Sequence, residues 1–305
     1  MTTSARRASP LFVSLCVLVS AFIIDRIPQE LWRVPGWSAF SRAAPEQAML
    51  VWKLGQIPLC ILAVMAILRV TPRPAMKALG LARSRRDAAA ALAFGFACSL
   101  PVLGVVLWAG TGINPKATVW GALRTSVGSG LGEEVFFRGL LFLMLYRFAR
   151  WPFWAAALAN ALPWVVGHFY QSQETGLELM RGLMLVTFTF TAFGALAAWV
   201  LVRWHDNLWM LVAVHGLANL WWYLFAENMV PLFGPAGWVM RGGLLVSAIL
   251  LTVFRNRLER LFFTGRTDLG RLGIVRAFVQ LACIVLLSRP DFEMSRQDMA
   301  RTQSF

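Results

Sequence analysis

The chain contains 305 residues, of which 58% are hydrophobic and 14% are charged. Soluble domains carry about 25% charged residues, so this composition excludes an ordinary soluble globular protein. The formal net charge of +14 arises from basic residues that lie mostly in short loops between apolar runs. A nucleic-acid-binding protein would instead carry its basic residues as a stripe on a soluble face, and we therefore exclude nucleic acid as a partner.

Long apolar runs recur along the chain and predict an all-α fold, a polytopic transmembrane helical bundle with about eight membrane spans, because a bilayer is crossed by about 20 residues of helix. The first run resembles a secretory signal in length and flanking charge, but no small-x-small cleavage site follows it, so we predict an uncleaved span. The predicted spans cover residues 10–27, 48–69, 88–110, 119–146, 152–170, 182–202, 207–226 and 235–254.

The loop charges predict the orientation of these spans. Basic residues follow the second, fourth, sixth and eighth spans, whereas the alternate loops are neutral or acidic. By the positive-inside rule, both termini are expected in the cytoplasm and the protein in the inner or plasma membrane of the cell. The apolar run at 274–287 is too short to span, and we expect it to lie in the cytoplasmic interface, followed by a disordered polar tail from 294 to 305.

The fourth predicted span carries two adjacent carboxylates and an arginine, Glu133, Glu134 and Arg138. Ionised side chains inside a membrane are costly and point to function by default. Glu134 and Arg138 are four residues apart on one helix face and are expected to form a structural ion pair. Glu133 is turned about 100° away in an α-helix. We therefore expect it to be less compensated, to face the histidines of other spans, and to carry the chemistry.

Two further spans carry polar residues at helical spacing. Trp164 and His168 are one turn apart in the fifth span, and His215 and Asn219 are one turn apart in the seventh. A lone histidine in a membrane more often bonds a neighbouring helix than catalyses a reaction. The joint pattern across three spans nevertheless predicts that these side chains converge with Glu133 on one cavity.

The three motifs resemble those of the CAAX-protease and bacteriocin-processing (CPBP, or Abi) family of intramembrane glutamic endopeptidases, which includes the type II CAAX prenyl proteases. That family has EExxxR, FxxxH and HxxxN on separate helices, and Trp164 stands here where the family usually has Phe. The resemblance covers roughly residues 119–226. It divides the chain into N-terminal spans at 1–118, a protease core at 119–226, and a last span with a basic tail at 227–305.

The resemblance implies a peptide hydrolase that uses neither a cofactor nor a covalent intermediate. Glu133 and His168 would activate a water molecule, and His215 and Asn219 would form the oxyanion hole. Glu134, Arg138 and Trp164 would support them. The implied partners are the lipid bilayer and a membrane-embedded or lipid-anchored protein or peptide substrate.

Three alternative functions are consistent with the same residues. A zinc peptidase would use Glu133, His168 and His215 as ligands, although the chain has no HExxH motif. A transporter or channel would use the Glu–Arg–His cluster as a proton relay, although no inverted repeat is visible in the sequence. The third alternative is a catalytically silent immunity or scaffolding protein.

Overall fold

A computed structural model describes residues 9–110, 112–226 and 233–256, and all regular structure within these ranges is helical. Ten α-helices, a long π-helix, a 3₁₀ segment at Phe169–Thr175 and a π-turn at Trp222–Ala226 follow one another along this part of the chain. The α-helices are α1 (Pro10–Leu31), α2 (Pro35–Ala43), α3 (Pro45–Leu68), α4 (Pro72–Ala78), α5 (Arg85–Trp108), α6 (Val119–Leu123), α7 (Phe153–Gly167), α8 (Leu179–Arg203), α9 (Trp209–Trp221) and α10 (Pro235–Val253).

The predicted all-α membrane bundle is confirmed, with a helix at each of the eight predicted spans. In the described ranges, six helical segments are long and apolar enough to cross a membrane. The other two predicted spans are α7, which is shorter at 15 residues, and the helix that carries the charged motif. The number of spans and the limits of the three predicted segments therefore stay predictions.

The described residues up to Thr252 form one compact unit, and Val253 begins a second. Only residues 253–256 of the second unit are described. The predicted interfacial segment at 274–287 and the predicted tail from 294 onward lie outside the described residues.

The helix that carries the two carboxylates is a π-helix over Arg124–Phe148, and it continues from α6 without a break. Its winding is still visible at its end, where the Ala149 amide donates to the Met144 carbonyl, five residues back, at 3.0 Å. The α-helical angle of about 100° per residue therefore does not describe how Glu133 and Glu134 diverge. The i to i+4 proximity of Glu134 and Arg138 is nevertheless retained.

This π-helix lies at the centre of the bundle and packs against α1, α3, α7 and α9. Residues 139–145 are buried on every side, as a helix apolar all round should be, and Leu140, Phe142 and Leu143 are fully inaccessible.

Two glycines of the π-helix bring neighbouring backbones close to the charged motif. A Cβ at Gly130 would lie 2.8 Å from the Gly216 Cα of α9, and one at Gly132 would lie 2.5 Å from the Lys53 carbonyl oxygen of α3. Side chains at these positions would push the helices apart. The close approach of α3 and α9 to the π-helix therefore requires glycine at both positions.

Candidate active site

The polar residues predicted from the three motifs lie together in the structure. Glu133, Glu134, Arg138, Trp164, His168, His215 and Asn219 all line one cavity of about 860 Å³. The π-helix, the C-terminal end of α7 and the middle of α9 contribute them. The predicted convergence on one cavity is therefore present in the geometry, and the chemical role of each residue stays a proposal.

Glu133 is held by two donors from different helices. Lys53 Nζ of α3 lies 2.9 Å from Glu133 Oε1, and the Trp164 indole Nε1–H donates to Glu133 Oε2 at 3.3 Å. The Glu133 side chain is 11% exposed and that of Lys53 is 21% exposed. The expectation that Glu133 is less compensated than Glu134 is therefore wrong, because α3 carries a cation to it.

Glu134 is almost fully buried, and its charged partners bind one and the same oxygen. Arg138 Nη1 lies 3.3 Å from Glu134 Oε1, and His215 Nδ1 lies 2.8 Å from that oxygen. The predicted ion pair with Arg138 is present. The expectation that the histidines of other spans face Glu133 is only partly met, because His215 bonds to Glu134 instead. Glu134 therefore connects the motif of the π-helix to that of α9.

Arg138 has an aromatic partner in addition to Glu134. Its guanidinium carbon lies 4.3 Å from the centre of the Trp164 ring, within the range of a cation–π contact. The Arg138 side chain is 2% exposed. Trp164 thus covers Arg138 with its ring and donates to Glu133 with its N–H, and a phenylalanine at this position could make only the first of these contacts.

His168 lies at the residue that ends α7, with φ −111° and ψ 7°, and not within the helix as predicted. Its Nδ1 lies 2.7 Å from the Trp164 carbonyl oxygen, and its ring stacks on Phe190 with centroids 4.4 Å apart. A carbonyl oxygen can only accept, so Nδ1 carries the proton. In the neutral imidazole, Nε2 is then left with a lone pair and can act as a base.

His215 and Asn219 follow a different pattern of donors. A carboxylate also only accepts, so His215 Nδ1 donates to Glu134, and Nε2 can donate to a further group only when the ring is an imidazolium. The Asn219 amide uses one N–H to donate to the Thr125 carbonyl at 3.2 Å. Its second N–H has no hydrogen-bond partner among the described residues and is available to a ligand.

The described residues contain no group of three or more His, Cys, Asp and Glu side chains placed to hold a metal ion. Glu133, His168 and His215 line the same cavity but have separate partners, namely Lys53, the Trp164 carbonyl and Glu134. The three-ligand set of the zinc alternative is therefore not assembled in this arrangement of side chains.

Among the described residues, Lys53 is the ion-pair partner of the two carboxylates that sequence reasoning missed. It interrupts the apolar run of α3, and a lysine inside a membrane span is itself a signal of function. That signal was available in the sequence. The sequence did not identify the partner of Lys53, because 80 residues separate Lys53 from Glu133.

Comparison with known protein families gives one match. Residues 115–221 match the family described as type II CAAX prenyl endopeptidase Rce1-like, and this segment contains all seven predicted residues but not Lys53. No curated protein and no solved structure matches the chain significantly. Together with this match, the apolar helices support an integral membrane protein, and the matched family is one of peptide hydrolases. Residues 115–221 are thus similar to the Rce1-like family, which confirms the predicted resemblance to the CPBP family of CAAX proteases.

Proposed function

We propose that the chain is an intramembrane glutamic endopeptidase that hydrolyses a peptide bond of a membrane-embedded or lipid-anchored protein or peptide. The observation that carries this proposal is that the polar residues of all three motifs line a single cavity of about 860 Å³. A cavity of this volume accommodates several residues of an extended peptide, since ligand sites commonly measure about 300–1,000 Å³.

In this proposal, Glu133 and His168 activate the attacking water. The Nε2 lone pair of His168 accepts the proton, because Nδ1 donates to the Trp164 carbonyl. The ionised Glu133 accepts a hydrogen bond from the same water and stabilises the imidazolium that forms. Lys53 and Trp164 hold one Glu133 oxygen each, which fixes the direction of the carboxylate.

His215 and Asn219 stabilise the tetrahedral oxyanion. His215 does so as an imidazolium, donating from Nε2 while Glu134 binds Nδ1. Asn219 uses the N–H that is not bound to Thr125. Each such donor contributes about 3–4 kcal/mol to the transition state in other hydrolases. The proton held on His168 then passes to the leaving amine, the C–N bond breaks, and no covalent intermediate forms.

A cleavage assay tests the proposal. Purified wild-type protein is reconstituted in vesicles with a library of membrane-tethered peptides, beside Glu133→Gln and His168→Ala forms purified in equal yield. We expect the wild type to cleave members of the library and each variant to lose a factor of about 10²–10⁴ in rate. Cleavage by Glu133→Gln at the wild-type rate would overturn the role of Glu133 in activating the water. The same assay with a proton-flux dye separates the peptidase from a proton relay.

The orientation is part of the proposal. The loop charges favour both termini in the cytoplasm of the cell, in its inner or plasma membrane. Reporter enzymes active only in the cytoplasm, fused after residue 305 and within the loop around Gln173, test it. Activity of the first fusion and silence of the second is the expected result, and the reverse pattern would invert the topology.

A further inference from the structure

A second polar cluster adjoins the cavity, outside the residues of the three motifs. It consists of Glu46 in the first turn of α3, Thr118 at the start of α6 and Tyr223 in the π-turn that follows α9. Tyr223 is buried and lines the cavity. Glu46 and Tyr223 both lie outside residues 115–221, so similarity to the Rce1-like family does not explain why they meet.

The Tyr223 hydroxyl joins the end of α9 to the starts of α3 and α6. The Thr118 backbone N–H donates to the Tyr223 oxygen at 3.0 Å, and the Tyr223 hydroxyl donates to Glu46 Oε1 at 3.5 Å. The Thr118 hydroxyl donates to the other Glu46 oxygen. Gly121 leaves room for this arrangement, because a Cβ at that position would overlap the Tyr223 hydroxyl. Even alanine at Gly121 would therefore force the cluster apart.

The same two segments of the chain meet again at the proposed oxyanion site. Asn219, four residues before Tyr223, donates to the carbonyl of Thr125 near the start of the π-helix. The Asn114 side-chain amide, from the loop before α6, donates to the Tyr223 carbonyl at 3.1 Å. The contacts of Tyr223 therefore hold the end of α9 in register with the helix that accepts the Asn219 amide.

The direction of the Asn219 amide depends on this register. One N–H is bonded to Thr125, and because the amide group is planar, that bond also sets the direction of the second N–H. A shift of α9 along the start of the π-helix would turn both. An oxyanion-hole donor acts at about 2.7–3.1 Å from the developing charge, so a small displacement of the donor lowers the rate.

We propose that Tyr223, held by Thr118 and Glu46, is a positioning residue for Asn219. The proposal rests on the proposed peptidase function, in which Asn219 stabilises the oxyanion. The Tyr223 hydroxyl keeps the end of α9 in place against the start of the π-helix, and the second N–H of Asn219 thereby stays directed at the oxyanion. Glu46 extends this role to α3, which also carries Lys53.

A double-mutant cycle tests the positioning role. Tyr223→Phe removes the hydroxyl and keeps the ring, and its effect is measured in the wild type and in Asn219→Ala under single-turnover conditions that resolve slow cleavage. Glu46→Gln leaves one acceptor oxygen for the two hydroxyls of the cluster. Tyr146→Phe is the matched control, because Tyr146 lies outside the cavity, stacks on Phe142, and has no hydrogen bond from its hydroxyl among the described residues.

We expect Tyr223→Phe to lower kcat about tenfold with KM little changed, because the lost interaction is made only in the transition state. In Asn219→Ala the same change should have little further effect, since the donor that it positions is gone. Glu46→Gln should cause a smaller loss, and Tyr146→Phe should cleave at the wild-type rate.

Two results of the cycle would overturn the proposal. A tenfold loss from Tyr223→Phe that persists in Asn219→Ala would show that Tyr223 acts on the whole site and not through Asn219. A raised KM with unchanged kcat would show that Tyr223 contacts the substrate directly.

NMR spectroscopy separates this proposal from the proposed function. In protein labelled with ¹⁵N in its asparagine side chains, the amide signals of Asn219 are identified by their absence in Asn219→Ala. Because Phe keeps the ring, we expect these signals to shift and to exchange faster in Tyr223→Phe, and to be unchanged in Tyr146→Phe. Unchanged signals in Tyr223→Phe would overturn the positioning role whether or not the protein cleaves peptides. Displaced signals in a protein that cleaves no peptide would support the positioning contact and overturn the peptidase function instead.

Discussion

Glu133 and Glu134 are adjacent in sequence but lie in different surroundings. Glu133 receives its cation from α3, a helix outside the segment that matches the Rce1-like family, and both partners of that pair keep some access to solvent. Glu134 receives its cation from its own helix and is nearly inaccessible. Glu133 therefore keeps access to the cavity, whereas Glu134 is enclosed and binds both Arg138 and His215 through a single oxygen.

The largest expected effect concerns the buried side of this comparison. Arg138→Met removes the cation of Glu134 and leaves a carboxylate with one oxygen already unbonded in the described structure. Breaking a buried ion pair costs about 3–5 kcal/mol, so we expect the free energy of unfolding in detergent micelles to fall by that amount. Arg26→Met is the control, because Arg26 is exposed, lies over the Phe22 ring and has no ion pair among the described residues. Equal losses in the two variants would contradict the structural role of Arg138.

A second prediction concerns the contact that brings Lys53 to Glu133. Gly132→Ala places a Cβ about 2.5 Å from the Lys53 carbonyl oxygen, and that oxygen belongs to a helix backbone that cannot rotate away. Overpacking of this kind lowers the free energy of unfolding by about 1–3 kcal/mol. We also expect kcat to fall, because α3 moves away from the π-helix and takes Lys53 with it. Gly55→Ala, on the same α3 helix and with open space around it, should change neither quantity. A Gly132→Ala protein with wild-type stability and turnover would show that the close approach is dispensable.

These two sites also show how far the sequence predicts the structure. The Glu134–Arg138 pair was predictable because both residues belong to one helix turn and proximity follows from spacing. The four-residue spacing of Trp164 and His168 likewise predicted that the two side chains lie next to each other. The Lys53–Glu133 and His215–Glu134 contacts were not predictable, because they depend on how α3 and α9 pack against the π-helix. The π-winding of residues 124–148 was not visible either, since the spacing of its polar residues also fits an α-helix.

Replacement of Lys53 is expected to have a smaller effect, and it tests how much Glu133 depends on its cation. Lys53→Met keeps the length of the side chain and removes the charge that holds Glu133 Oε1. We expect kcat to fall about tenfold, or ~1.4 kcal/mol, with KM little changed, because the carboxylate loses its fixed direction but remains present. Lys53→Arg should recover much of the loss. A fall in expression or stability without a change in kcat of the folded protein would assign Lys53 a purely structural role.

The smallest expected effect is that of metal removal, and it tests whether Glu133 and Glu134 have different roles. In a zinc peptidase Glu133, His168 and His215 would be ligands of one ion, and the separate partners that distinguish Glu133 from Glu134 would be incidental. The proposed mechanism instead assigns the proton to His168 and the oxyanion to His215 and Asn219. We therefore expect full cleavage activity after dialysis against a strong chelator, with less than one metal ion per protein by elemental analysis. Loss of activity that added Zn²⁺ restores would contradict the mechanism, because a metal-bound water needs neither the free Nε2 of His168 nor an ionised Glu133 fixed by Lys53.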